Sequence, residues 1–196
     1  MEKLKTDSTE YNILEEAIRE IKNVSGMICE IGVRTGGSSE LIIDTLLDNE
    51  DLDRHLICVD PYGDIPYPEG DSIVSHDYNN KMRDESLADI YGYSRKKRVN
   101  LHFLVLDDTE FFNRYTDGFP VYNKKKSILS KYALVFLDGP HSTEKINEEI
   151  NFFKDKMSEG SIIVFDDIQM YNLPELDGFE LIQKGIFKAS YKKDKI

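Results

Sequence analysis

Three aspartates that follow apolar runs are the residues of this sequence with the clearest potential for chemistry. Asp138 follows the run 132–137, and Asp166 and Asp167 follow the run 162–165. Both runs lack polar alternation, so each is predicted to be a buried parallel strand, and parallel neighbours end at one edge of a sheet. Carboxylates gathered there repel one another unless a cation binds between them. Because such oxygens suit Mg²⁺, the sequence predicts a site for Mg²⁺ or another divalent cation at these three aspartates.

A histidine lies close to this predicted metal site. His141 comes three residues after Asp138. A histidine side chain titrates near working pH, which suits a general base, so His141 is the candidate base for a substrate hydroxyl. The alternative is a structural residue at a helix entry beside Pro140. Asp138 is a second candidate for the catalytic base, and the sequence leaves the choice open.

A glycine-rich turn upstream is a candidate cofactor site. It follows one predicted strand and precedes a predicted helix, and its residues of interest are Glu30, Gly32, Arg34, Gly36, Gly37 and Ser38. Glycines let a backbone approach a ligand closely, and a helix N-terminus offers free N–H groups. Arg34 occupies the place of the middle glycine in the dinucleotide fingerprint GxGxxG, so the spacing departs from that motif. A plain tight turn is the alternative explanation.

Acidic residues end the next two predicted strands. Asp60 ends the second strand, where a carboxylate can accept both hydroxyls of a ribose. Asp107 and Asp108 end the third, where they would either accept from an adenine amino group or cap the next helix. Glu30 would repel a pyrophosphate and suits a cofactor with a cationic amino-acid end. These features favour S-adenosylmethionine over a nicotinamide dinucleotide.

Composition and charge exclude several classes of protein. The chain has 196 residues, which suits one domain, and 25 basic against 37 acidic residues give a formal charge of −12. This charge argues against nucleic acid or an anionic membrane as a partner. Cys29 and Cys58 lie in predicted buried strands, so we expect free core residues of a reducing compartment. Neither a signal peptide nor a membrane-spanning apolar run is evident, and a cytoplasmic location is expected.

The predicted elements alternate between strand and helix, as expected of an α/β domain with a parallel sheet. An N-terminal helix (8–23) lies within residues 1–25, and the segment 61–76 has the proline and glycine content of a loop that could act as a lid. Segments 179–183 and 186–191 are predicted to form a C-terminal antiparallel hairpin. The other predicted elements are strands at 27–31, 55–59 and 99–106 and helices at 38–47, 78–97 and 142–157.

The order of these motifs resembles that of class I S-adenosylmethionine-dependent methyltransferases over about residues 10–191. Segments 30–38 and 137–142 are similar to the branch that holds macrocin-type sugar O-methyltransferases and cephalosporin-hydroxylase-like proteins. Catechol O-methyltransferase places its metal ligands in a similar strand-end pattern. The resemblance implies a Rossmann-like α/β fold, with a mostly parallel sheet, a C-terminal antiparallel hairpin and helices on both faces.

The resemblance also implies roles for the residues named above. It assigns the cofactor's amino-acid portion to Glu30 and Gly32, its carboxylate to Ser38, its ribose to Asp60 and its adenine to Asp107 or Asp108. Further candidate contacts to the cofactor are Arg34, Gly36, Gly37 and Asp138. The implied chain is one methyltransferase domain (1–196), a dimer or larger, that methylates a hydroxyl of a small molecule or sugar with help from a divalent metal. The alternatives are an NAD-dependent Rossmann oxidoreductase and a non-catalytic cofactor-binding protein of the same fold.

Overall fold

The computed structural model describes residues 8–63, 67–69, 72–74 and 78–194, with the backbone alone at 67–69 and 72–74. Residues 64–66, 70–71 and 75–76 of the predicted lid loop 61–76 lie outside the described residues, so its function as a lid stays a prediction. The elements in chain order are α1 (Tyr11–Glu20), β1 (Met27–Ile31), α2 (Gly37–Asp48), β2 (His55–Val59), β3 (Tyr67–Glu69), β4 (Ser72–Val74), α3 (Asn80–Lys97), β5 (Asn100–Leu104), α4 (Asp108–Arg114), β6 (Phe119–Tyr122), β7 (Lys126–Leu129), β8 (Tyr132–Leu137), α5 (Thr143–Phe153), β9 (Met157–Phe165), β10 (Phe179–Lys184) and β11 (Ala189–Lys193).

One sheet of seven strands organises the described residues, in the order β10-β11-β9-β8-β1-β2-β5. The five strands from β9 to β5 pair in parallel, whereas β11 pairs antiparallel with both β9 and β10. The predicted parallel sheet and C-terminal hairpin are therefore confirmed. The second strand of the hairpin begins at Ala189 rather than at the predicted residue 186.

The sheet is covered on both faces because its central strands are apolar on both sides. In β1, Ile28 packs into a cluster with residues of α1, α2 and α3, whereas Cys29 and Ile31 pack into a cluster with residues of α4 and α5. All six residues of β8 are buried. Each fully buried Ile, Leu or Phe stabilises the fold by roughly 1.5–3 kcal/mol. The predicted layer of helices on each face is confirmed, and it holds the strand ends rigidly.

The helix between the two aspartate-bearing strands is shorter than predicted. Helix α5 ends at Phe153, a 3-10 turn covers Lys154–Lys156, and Met157 begins β9. Met157 follows the apolar spacing of the helix, but it pairs with Tyr132 in the sheet. Pairing with a neighbouring strand therefore overrides helical periodicity at this position.

The N-terminal helix also starts later than predicted, and Glu10, which precedes it, binds the turn before β11 instead of belonging to the helix. Helix α1 begins at Tyr11, and Glu10 precedes it with φ 57° and no side-chain cap to the helix. The Glu10 carboxylate instead accepts backbone N–H groups from Ile186, Phe187 and Lys188. The N-terminal segment is thus attached to the turn before β11.

Two features of the fold lie away from the strand ends. Strands β6 and β7 form an antiparallel hairpin in a segment without a clear periodic signal in the sequence. Cys29 and Cys58 are free and buried, as predicted.

Of the helices in the described part of the chain, none is both long and apolar enough to cross a membrane.

Candidate active site

A cleft of about 310 Å³ opens at the carboxyl ends of the central strands. Such a position, at the edge where parallel strands end, is where open α/β sheets bind ligands. Most of the residues predicted from the sequence line it: Gly32, Arg34, Gly37, Ser38, Asp60, Asp107, Asp108, Asp138, His141 and Asp167. Glu30, Gly36 and Asp166 are not part of its lining. The structure therefore gathers the predicted cofactor and acceptor residues around one cavity.

The turn after β1 has its shape because of Gly32. Its φ is +87°, and a Cβ atom placed on it would lie 1.9 Å from the carbonyl oxygen of Asp138. The Gly32 N–H donates to Val59 of β2 at 2.9 Å, and the Asp138 N–H donates to Ile31 of β1 at 2.8 Å. Glycine is required here because three strand ends meet with no room for a side chain.

Asp60 stabilises this turn directly. Its carboxylate accepts backbone N–H groups from Val33 at 2.8 Å, Arg34 at 2.9 Å and Tyr62 at 3.1 Å. Burial raises the pKa of Asp60, and these three hydrogen bonds oppose that rise. Arg34 has φ 50°, and its carbonyl accepts hydrogen bonds from the hydroxyls of Tyr62 and Ser86. Asp60 lines the cleft at the predicted ribose position, but much of its hydrogen-bonding capacity is already used by the turn.

Glu30 lies behind the wall of the cleft rather than on it. It is fully buried, and its carboxylate accepts hydrogen bonds from the hydroxyls of Ser38 and Ser39 and from the thiol of Cys58. Burial raises its pKa. Ser38 and Ser39 lie in the first turn of α2, so Glu30 connects β1 to the start of that helix. Glu30 therefore holds Ser38 and the start of α2 from behind the wall of the cleft. This placement does not match the predicted direct contact between Glu30 and a cofactor.

The two acids at the end of the third parallel strand have different functions. Asp107 is the N-cap of α4, and its side chain accepts the Glu110 N–H at 2.7 Å. Asp108 is 7% exposed, and its Oδ2 has no hydrogen-bond partner among the described residues. Burial raises the pKa of Asp108. Because an unpartnered buried oxygen on a cleft wall is unfavourable without a ligand, Asp108 is the better candidate for an adenine amino group.

The predicted metal site does not fit the geometry of Asp166. This residue is fully buried, and its Oδ2 lies 2.7 Å from Nζ of Lys188 and accepts from the Ser8 hydroxyl at 2.9 Å. Its Oδ1 accepts the Asp167 N–H at 2.8 Å. Among the described residues, no group of three His, Cys, Asp or Glu side chains is arranged to hold a metal ion. The three-aspartate site is therefore corrected: Asp166 pairs with a lysine, and Asp138 and Asp167 face the cleft.

His141 lies beside the two aspartates that face the cleft. Its Nε2 is 3.4 Å from Oδ2 of Asp167, and its ring stacks on Tyr171 with an interplanar angle of 6°. Gln169 donates to the other oxygen of Asp167 at 3.0 Å. Asp167 is therefore an acidic neighbour that can orient the His141 imidazole and stabilise its protonated form. Burial, followed by the charge of Asp166, raises the pKa of the nearby Asp138 well above its usual range.

Three residues at or beside the cleft carried no usable signal in the sequence. Ser8 and Tyr11 reach the cleft from the N-terminal segment. Lys188 lies just before β11 and pairs with Asp166 without lining the cleft. These residues are far from the aspartates in the chain, and the packing of α1 and β11 beside β9 brings them together.

An acidic side chain that was not predicted from the sequence lies beneath the cleft. Glu149 of α5 is fully buried, and neither of its carboxyl oxygens has a hydrogen-bond partner among the described residues. Its Oε1 lies against Gly139, which lines the cleft. Burial, and then the charge of Asp108, raises the pKa of Glu149 well above its usual range. This carboxyl therefore stays protonated in the folded chain at pH values where it ionises in the unfolded chain.

Glu149→Gln is expected to stabilise the fold increasingly as pH rises. Above the ordinary glutamate pKa the unfolded wild type loses the proton that the folded chain keeps, so wild-type stability falls toward the raised folded pKa. Glutamine does not titrate. Between the unfolded and the folded pKa of Glu149, the free energy of unfolding of Glu149→Gln minus that of the wild type should therefore grow by up to about 1.4 kcal/mol per pH unit. Urea unfolding between about pH 5 and about pH 8 measures it. Glu148→Gln, on the exposed side of α5, is the control, and a difference independent of pH would contradict the assignment.

Comparison with known proteins identifies the family. The profile of a family described as "Methyltransferase domain" matches residues 29–168. No curated protein sequence matches the chain. Among solved structures, the calicheamicin methyltransferase CalS11 has a TM-score of 0.61 at 17% identity, covering 92% of this chain and 78% of its own. The O-methyltransferase TomG from Streptomyces achromogenes, solved with SAM, has a TM-score of 0.62 at 13% identity, covering 98% and 82%. An O-methyltransferase from Bacillus cereus, in complex with SAH, has a TM-score of 0.57 at 13% identity, covering 96% and 83%. With the Rossmann-like sheet and the glycine turn in the expected places, the chain belongs to the methyltransferase-domain family.

Proposed function

We propose that this chain transfers a methyl group from S-adenosylmethionine to a hydroxyl oxygen of a small molecule or sugar. The observation that carries the proposal is the single cleft that joins the glycine turn, Asp60 and Asp108 to Asp138, His141 and Asp167. One half of this cleft, the donor half, suits a nucleoside with an amino-acid end. The other half, the acceptor half, suits a hydroxyl group that must lose its proton. The family profile supports methyl transfer, and the fold shared with O-methyltransferases supports an oxygen acceptor.

The donor half is built to hold a polar cofactor. S-Adenosylmethionine supplies an electrophilic methyl group on a sulfonium. The first turn of α2 offers backbone N–H groups to a carboxylate, beside Ser38, whose hydroxyl donates to Glu30. Asp60 remains the candidate for the ribose, and the unpartnered Oδ2 of Asp108 suits the adenine amino group. The donor set on this wall therefore fits the cofactor that the family implies.

The acceptor half provides a base and its orienting neighbour. His141 takes the proton from the acceptor hydroxyl, and Asp167 at 3.4 Å stabilises the imidazolium that forms. The oxygen forms a bond to the methyl carbon as the carbon–sulfur bond breaks, and the sulfur keeps the electron pair. Asp138 borders the same space and is the second candidate for the base.

The walls of the acceptor half suit a ring that carries hydroxyl groups. Tyr11 gives an aromatic surface and Ser8 gives a polar group, both from the cleft lining. CalS11 is described as a TDP-rhamnose 3'-O-methyltransferase. That description belongs to CalS11, and for this chain a sugar or a phenolic small molecule is our proposal. The proposed reaction uses no divalent metal, because Lys188 already pairs with Asp166.

Calorimetry with S-adenosylhomocysteine tests the donor half. We expect one molecule bound per chain, and Asp108→Ala should weaken binding about tenfold, because a lost hydrogen bond to a buried carboxyl is worth about 1.5 kcal/mol. Asp89→Ala, at an exposed position on α3, is the matched control and should bind like the wild type.

The same titrations separate the rival functions. Heat from NAD⁺ with none from S-adenosylhomocysteine would replace the proposal with a dehydrogenase. Binding of S-adenosylhomocysteine without methyl transfer to any of a panel of sugar nucleotides and phenols would indicate a non-catalytic binding protein. Transfer of a labelled methyl group to an oxygen of one acceptor class would establish the enzyme.

A further inference from the structure

A buried lysine provides positive charge at the strand-end aspartates. The side chains of Lys188 and Asp166 are 0% and 1% exposed, and Nζ lies 2.7 Å from Oδ2. Lys188 also donates to the hydroxyl of Ser8, which in turn donates to the same Oδ2 at 2.9 Å. The other oxygen of Asp166 accepts the Asp167 N–H at 2.8 Å. Both carboxylate oxygens of Asp166 are therefore satisfied from within the protein.

The surroundings of the ammonium show that its position is built into the fold. Nζ lies 4.7 Å from the ring centroid of Tyr11 and 5.8 Å from that of Phe136. Aromatic faces attract a cation most strongly where water is excluded. The backbone N–H of Lys188 donates to Glu10 at 3.1 Å, so the N-terminal segment holds the residue in place. A carboxylate, a hydroxyl and two ring faces therefore surround the ammonium.

Asp166 lies next to the aspartate that faces the cleft. The Asp166 N–H donates at 2.9 Å to the carbonyl of Leu137, the residue before Asp138. A cation held at Asp166, whether an ammonium or a divalent metal ion, therefore opposes the repulsion between these neighbouring carboxylates. Asp166 can bind Lys188 or a metal ion, but the two cations would compete for the same oxygen.

We propose that the Lys188 ammonium takes the place of a divalent cation at the strand-end aspartates, so that the cleft works without a bound metal. The part concerning methyl transfer rests on the proposed function, whereas the part concerning metal binding does not. Lys188 does not line the cleft and is a positioning residue that acts through Asp166. It neutralises one of three clustered carboxylates and leaves Asp138 and Asp167 for the acceptor.

The wild-type chain gives the first test. Mn²⁺ is titrated into the metal-stripped protein with S-adenosylhomocysteine present, and free Mn²⁺ is followed by electron paramagnetic resonance. We expect no stoichiometric binding at submillimolar Mn²⁺. Affinity for S-adenosylhomocysteine should change less than twofold after EDTA treatment. One Mn²⁺ bound per chain with micromolar affinity would overturn the proposal, and this arm needs no variant.

The second test creates the space for a metal. Lys188→Met removes the charge while keeping an unbranched side chain, and the variant should bind one Mn²⁺ per chain at least tenfold more tightly than the wild type. Lys192→Met is the matched control, because Lys192 lies on β11, which directly follows Lys188, is 42% exposed and pairs with Glu20. Equal Mn²⁺ binding by the two variants would overturn the proposal. If Lys188→Met does not fold, Lys188→Arg keeps a cation at the site and must bind no Mn²⁺.

Methyl transfer supplies a separate readout. The wild type should keep its rate within twofold in EDTA, and Lys188→Met should lose at least tenfold and regain part of it with Mn²⁺. Loss of wild-type activity in EDTA with recovery in Mn²⁺ would overturn the assignment of Lys188. Absence of S-adenosylhomocysteine binding would overturn the proposed function, while the Mn²⁺ titrations would still decide whether Lys188 excludes a metal.

Discussion

His141→Ala is expected to lower kcat about 10²–10⁴-fold, the usual contribution of a positioned general base. The imidazole borders the acceptor half of the cleft, and Asp167 at 3.4 Å stabilises its protonated form. Alanine leaves the acceptor hydroxyl without a group that can take its proton as the methyl group is transferred. The affinity for S-adenosylhomocysteine should stay within about threefold, because the donor half lies on the glycine turn and Asp108. Single-turnover transfer of a labelled methyl group measures the loss.

A control separates this effect from a general loss of structure. His55 begins β2 at the opposite edge of the sheet, where its Nδ1 lies 2.8 Å from Nε2 of His102. His55→Ala removes a partly buried histidine that does not line the cleft, so its kcat should match that of the wild type. If His141→Ala keeps the wild-type kcat, Asp138 becomes the candidate base. Asp138→Asn then tests it directly.

Gly32→Ala is expected to disrupt both the fold and the cofactor site. The methyl group would lie 1.9 Å from the carbonyl oxygen of Asp138, and both groups belong to backbone that is hydrogen bonded to a neighbouring strand. A positive φ costs about 1–2 kcal/mol for an L-residue, and overpacking adds about 1–3 kcal/mol. The total of about 3 kcal/mol would lower Tm by about 10 °C in a domain of this size. Affinity for S-adenosylhomocysteine should fall at least tenfold, because the turn must move away from β8.

Gly92→Ala is the matched substitution. Gly92 lies inside α3 with open space around the position of a Cβ atom. Alanine has the higher helix propensity, so this variant should be more stable by about 0.5–1 kcal/mol. Thermal melts of the two variants therefore move in opposite directions. A Gly32→Ala protein that melts like the wild type and binds S-adenosylhomocysteine normally would show that β1 and β8 do not meet as described.

Local sequence patterns were sufficient for the frame of the fold. Continuous apolar runs predicted the buried strands β1, β2, β8 and β9, because such runs can be satisfied only between two layers of helices. The acids at the strand ends were placed at one edge of the sheet by the handedness of strand–helix–strand units. The same rule correctly put the glycine turn next to Asp60 and Asp138. The edges of elements were less well predicted, as at Met157, because pairing between strands overrides local periodicity.

The partners of each side chain could not be predicted in the same way. The sequence shows Glu30 in a glycine turn, but the packing of β1 under α2 makes Ser38 and Ser39 its partners instead of a cofactor. It shows Asp107 and Asp108 as equals, but the start of α4 makes one a cap and leaves the other facing the cleft.

By itself, the sequence determined that acidic groups from two strand ends would meet near a glycine turn in an α/β methyltransferase fold. Only the tertiary structure decided which cation balances them. Lys188 is separated from Asp166 by more than twenty residues of chain, and no periodic pattern links the two. They meet because β11 runs antiparallel beside β9 and the N-terminal segment closes over both. A charge pair of this kind depends on long-range packing, because either ion buried without the other would cost about 3–5 kcal/mol.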